Sequence, residues 1–116
     1  MSEGGASEVL TATIANGASL SGALSLSGFR FVGVQMPAAW TAAVITFQAS
    51  FDGTTYADLT FEGTEINYAA AASQYIAADP AKFAGIRYLK IRSGTSSAAV
   101  AQGAQRLLSA VTRPLV

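Results

Sequence analysis

The chain has 116 residues, no His and no Cys, and seven acidic side chains balanced by seven basic ones, for a formal net charge of zero. That length admits one domain, able to bury roughly two-thirds of its unfolded surface. The missing imidazole and thiol exclude the commonest general bases, thiolate nucleophiles and His/Cys zinc sites, and no apolar run approaches the roughly 20 residues of a membrane-spanning helix.

Charged residues make up 12% of the chain, against about 25% in an average soluble domain. The surface must therefore be Ser, Thr, Ala and Gly, which suits a protein covered by neighbours in an assembly. An extracellular monomer with a Ser/Thr-rich coat is the alternative. The charges are also segregated: residues 1–79 carry seven acids and Arg30, while residues 80–116 carry six bases and no acid. In a sandwich this yields either one basic face, suited to an acidic partner or to head-to-tail packing of copies, or merely scattered solubilising charges.

Residues 1–8 read as a flexible arm, and the start Met1-Ser2-Glu3-Gly4-Gly5 is the reverse of a basic, apolar signal peptide. Residues 9–116 read as one domain. Val9–Ala15 alternates, with Leu10, Ala12 and Ile14 on one side, and Asn16-Gly17 is a turn signal. Leu20, Leu24 and Leu26 recur at even spacing up to Ser27-Gly28. Phe29–Met36 is apolar on both faces, Phe29 and Phe31 on one and Val32, Val34 and Met36 on the other, as in a central strand or one whose second face is covered. Met36-Pro37-Ala38-Ala39-Trp40 breaks the pattern as a loop.

In Val44–Phe51 the residues Ile45, Phe47, Ala49 and Phe51 face one way, and Asp52-Gly53 turns the chain into Tyr56–Phe61 as a hairpin. Glu62–Glu65 turns again into Ile66–Tyr68, and Gln74–Ala78 is extended. Asp79 to Gly85 predicts one helical turn, with Asp79 as cap, Pro80 at the first helical position and Gly85 as stop. Ile86–Arg92 and Gln105–Val111 complete about eight short strands. This spacing, without a long amphipathic helix, predicts an all-β fold: a single antiparallel β-sandwich or jelly-roll-like domain.

Asp52, Asp58, Glu62 and Glu65 form the one local acid group, but they lie around two hairpin turns, where turn chemistry accounts for them better than a cation does. A Ser paired with Lys82 or Lys90 is the remaining route to nucleophilic catalysis. Gly17, Gly22, Gly28 and Gly33 follow strand and turn spacing, not that of a phosphate loop. No catalytic residue, metal site or cofactor is expected. With Leu89 and Ile91 inward, Tyr88, Lys90 and Arg92 share an outward face, as an ordinary strand, as a contact for an acidic protein, or, least favoured, as a nucleic-acid platform. Trp40, after Met36-Pro37, reads either as an interface anchor or as a plug at one end of the barrel. The chain ends, including Arg113, could add a strand to a neighbour's sheet or simply fray.

Two stretches resemble known framework. Ala49-Ser50-Phe51-Asp52-Gly53-Thr54-Thr55-Tyr56 resembles a hairpin of discoidin-type, galactose-binding-like jelly rolls, and Ile86-Arg87-Tyr88-Leu89-Lys90-Ile91-Arg92 resembles one of their core strands. Neither stretch carries a ligand residue of that family. The whole chain, with Val34-Gln35-Met36-Pro37-Ala38-Ala39-Trp40-Thr41 and its Ala/Ser/Thr-rich character, is similar in style to small virion proteins of tailed bacteriophages. That likeness implies a non-enzymatic, multi-copy head decoration or cement protein, located in the virion and assembled in the host cytoplasm. Its implied partners are the major capsid protein or another virion protein and copies of itself, a homo-oligomer such as a trimer, with no membrane contact. The alternative is a carbohydrate- or receptor-binding module on a tail or fibre. The expected interface residues are Met36, Pro37, Trp40, Tyr88, Lys90, Arg92 and Arg113.

Overall fold

The computed structural model describes residues 8–114. It is an antiparallel β-sandwich of ten strands: β1 (Glu8–Ile14), β2 (Leu24–Ser25), β3 (Phe29–Gln35), β4 (Ile45–Ser50), β5 (Ala57–Asp58), β6 (Thr60–Phe61), β7 (Thr64–Glu65), β8 (Tyr75–Ala77), β9 (Tyr88–Ser93) and β10 (Arg106–Pro114). One sheet has the order β1-β10-β3-β8, the other β2-β9-β4-β5, and β6-β7 is a separate hairpin. With that hairpin set aside, the eight remaining strands run 1-8-3-6 and 2-7-4-5, which is jelly-roll order. The expected Tyr56–Phe61 strand is split. The Leu59 amide donates to the Phe47 carbonyl, while Thr60-Phe61 leaves the sheet to pair with Thr64-Glu65. The expected N-terminal arm lies outside the described residues apart from Glu8, which pairs with Thr112 in the β1–β10 ladder.

Alternation supplies most of the core. Ala12 and Ile14 of β1, Leu108 and Ala110 of β10, Ile45 and Phe47 of β4, and Leu89 and Ile91 of β9 are all buried between the sheets. β3 departs from the expected division into two apolar faces. Its register with β10 slips, so that Val111 faces Gly33 but Thr112 faces Phe31, leaving Val32 as the extra residue. The slip reverses the side-chain parity. Phe31, Val34 and Met36 therefore all enter the same core.

The short helical turn forms as its caps predict. Pro80–Phe83 is a 3-10 turn, the Asp79 carboxylate accepts from the Ala81 amide, and Gly85 takes the left-handed φ of 82°. Its function in the fold is to drive Phe83 between the sheets. The Phe83 ring lies 4.8 Å from Phe31 and 5.1 Å from Phe47, whose own rings are 5.5 Å apart. Tilted and edge-on geometry adds about 0.5–1.5 kcal/mol per pair to the burial itself.

Phe51, expected beside Ile45 and Phe47, is instead 77% exposed. β4 ends at Ser50, whose hydroxyl accepts the amide protons of Asp52 and Gly53, and this turns the chain outward before Phe51 can follow the alternation. Removal of the aromatic wedge tests this account of the core. Phe83→Ala is expected to destabilise the domain by about 3–4 kcal/mol in urea denaturation, whereas Phe51→Ala should fall within about 0.5 kcal/mol of the wild type.

Candidate interaction surfaces

The strand β9 places Tyr88, Lys90 and Arg92 on one face, as expected, but each is already engaged by the excursion between β4 and β7. A Cβ on Gly53 would stand 3.2 Å from the Tyr88 ring, so Tyr88 lies against the Asp52-Gly53 turn. The Lys90 ammonium sits 4.2 Å from the centre of the Tyr56 ring. Arg92 is 6% exposed: Nε donates to Thr46 Oγ1 at 2.9 Å, and its terminal nitrogens pair with Asp58 at 2.9 Å and Glu65 at 2.8 Å. Lys82 adds a fourth tie, 5.3 Å above the Phe61 ring. The expectation of Arg92 as an open interface residue is thus corrected. Arg92, from the basic second half of the chain, pairs within the molecule with Asp58 and Glu65 of the acidic first half, and the basic strand holds down its own cover.

The Met36–Thr41 loop is likewise fixed from within. Met36 is 2% exposed and belongs to the core, so it is not an interface residue. Pro37 is half-buried, and its carbonyl accepts from the Ser73 amide. Trp40 packs half-buried against the core and donates from Nε1 to the Ala43 carbonyl at 3.0 Å. The loop is clamped by Gln102, a fully buried amide that no sequence pattern announced. Its Oε1 accepts from the Thr41 amide and from Arg106 Nε, and its Nε2 donates to the Thr41 carbonyl and the Ser93 hydroxyl. Both ends of the amide are satisfied, which is the condition for burying it without penalty.

The uncovered surface is the outer face of the β1-β10-β3-β8 sheet. The register sets Val9, Val111, Gly33 and Ala77 in one row across it and Thr11, Ser109, Gln35 and Tyr75 in the next, with Thr13 beside Leu107 beyond. These ten residues carry no charge, and Val9, Tyr75 and Leu107 are each more than half exposed. The Tyr75 ring lies across Gly33, where a Cβ would stand 3.2 Å from Cε1, so the glycine keeps this face flat. At one end the platform turns basic. Arg113 stands directly opposite Arg30 in the ladder, and like charges in that position repel. Among the described residues neither has a carboxylate partner, and Arg30 Nε is buried without a hydrogen bond. Of the seven expected interface residues, Arg113 is the one that belongs to this open face.

The acidic turn is structural. Asp52 Oδ1 accepts from the Thr54 and Thr55 amides and from the Ser50 hydroxyl. The Thr55 amide above all, then that of Thr54 and the Ser50 hydroxyl, hold the Asp52 carboxyl below its ordinary value of 3.8. Among the described residues no cluster of three or more potential metal ligands occurs. No protein-family model matches the chain, and no curated protein is significantly similar to it.

Arg92→Met should loosen the strap. Loss of a guanidinium paired with one partly buried and one half-exposed carboxylate is expected to cost about 2 kcal/mol, with faster amide hydrogen exchange confined to residues 57–65. The Asp52 pKa is lower folded than unfolded, so its contribution to stability is complete above the unfolded value of 3.8 and is lost as pH falls through the folded one. An NMR titration should place the Asp52 midpoint below 3.8, and Asp52→Asn should flatten the acid limb of the stability curve.

Proposed function

We propose that this protein is a non-enzymatic structural component of a tailed-phage particle, a multi-copy head decoration protein that docks through the outer face of the β1-β10-β3-β8 sheet. The observation that carries this reading is the uncharged platform itself. One outer face of the sandwich is strapped over by the Arg92-anchored excursion, and the other presents Val9, Leu107 and Tyr75 bare. A flat sheet with few charges suits a dry protein contact, and the Arg30/Arg113 end suits an acidic rim on the partner. The phage assignment rests on the likeness of the whole sequence to small virion proteins. The function would be linkage: a protein that binds the assembled shell and not its free subunits stabilises the shell by mass action.

The test is binding of the purified protein to phage heads assembled without it. Saturable, stoichiometric binding with increased heat resistance of the heads is expected. Leu107→Asp should weaken that binding by at least about tenfold and leave the folded spectrum unchanged, because Leu107 is half exposed. Absence of binding to heads, with binding to host cells that disappears when their glycans are removed, would overturn the reading in favour of a carbohydrate-binding tail module.

A further inference from the structure

A second apolar feature lies at the opposite side of the fold, where β4 gives out. Ala49, Ser50, Thr55, Ala57, Gly85 and Ile86 line a shallow depression of about 290 Å3 together with Phe51, whose exposed ring forms one of its walls. That volume falls just below the ~300–1,000 Å3 of small-molecule pockets, and the lining is almost wholly apolar, so the depression suits one large apolar side chain. Beside this hole is a knob. Phe51 is the most exposed large apolar side chain among the described residues, and the turn that follows it is fixed, because the Ser50 hydroxyl and Asp52 Oδ1 between them collect the next four amide protons, those of Asp52, Gly53, Thr54 and Thr55.

A knob and a hole side by side on one surface are self-complementary about a two-fold axis, since each copy offers what the other lacks. The neighbouring charges agree. Asp52 follows the knob and is exposed, its Oδ2 free of the turn's hydrogen bonds. Arg87 precedes the Ser50–Tyr88 pair that ends the β4–β9 ladder, adjoins Ile86 in the hole, is exposed, and makes no ion pair among the described residues. We infer that this surface binds a second copy of the chain, Phe51 of each copy entering the other's depression and Asp52 of each copy pairing with the partner's Arg87. The contact is separate from the bare sheet, so it stands whatever that sheet docks to, and it leaves both platforms of the dimer open.

Sedimentation of the full-length protein over a concentration series tests the contact. A monomer–dimer equilibrium is expected, weakening as salt rises. Phe51→Ser should raise the dissociation constant about a hundredfold, because a symmetric dimer loses the anchor twice, and should leave the melting temperature in place at concentrations where the wild type is monomeric. Ala57→Trp fills the hole and should also give a monomer. A wild type that stays monomeric throughout the series, or a Phe51→Ser protein that dimerises like the wild type, overturns the inference.

Discussion

The guanidinium of Arg92 occupies a place where an outward-facing strand residue would ordinarily meet water. It lies over the β9–β4 ladder against Thr46 and closes two carboxylates from separate strands, Asp58 of β5 and Glu65 of β7, onto the sheet. The Thr46 hydroxyl, having accepted from Arg92, donates to the Gly94 carbonyl at 2.7 Å, so the pair is bound into the backbone. Gly94 has a φ of 89° and backbone atoms packed where a Cβ would be, so no other residue fits this bend. The arginine's planar fork serves two acids at once, which a lysine could not do with the same geometry.

From that tie follows the asymmetry of the molecule. The strand with the most basic outward face is a covered strand, and the excursion over it takes its tyrosine, its lysine and its arginine together. The opposite sheet has no such cover. Away from the Arg30/Arg113 end its outer face is built from uncharged residues, Val9, Thr11, Leu107 and Tyr75 among them, which offer no charge to hold a loop. The two faces of the sandwich therefore differ because one has ionic partners within the chain and the other does not. The low charge content becomes intelligible in these terms: the few ions available are concentrated in the strap, the Gln102 clamp and the Arg30/Arg113 end of the platform.

The short strands and their turns were legible because they depend on local rules. Asp79-Pro80 with Gly85 specified a capped turn that formed as expected, and the alternation of Leu10, Ala12 and Ile14 or of Leu89 and Ile91 identified the core face correctly. The failures occur where one residue breaks the period. Val32 adds a residue to β3 and brings Phe31 and Val34 to the same side. Ser50 captures two amides and expels Phe51 from a run that reads as core. Neither event has a signature in hydrophobicity. Gln102 escaped notice for a related reason, since an isolated glutamine in a small-residue loop is indistinguishable from a solvated one until the loops around it are placed.

The sequence by itself determined the fold class, the two-layer division of its apolar residues, the helical turn before β9 and the want of imidazole and thiol chemistry. All of these rest on composition and on relations within a few residues. Tertiary structure decided which surfaces are open. Met36 and Arg92 were among the expected interface residues, and packing withdrew both, because burial depends on what segments distant in sequence bring to the same place. Phe51 moved the other way, from expected core to exposed rim. An interface residue and a core residue share the same chemistry, and only the arrangement of the remaining chain separates them.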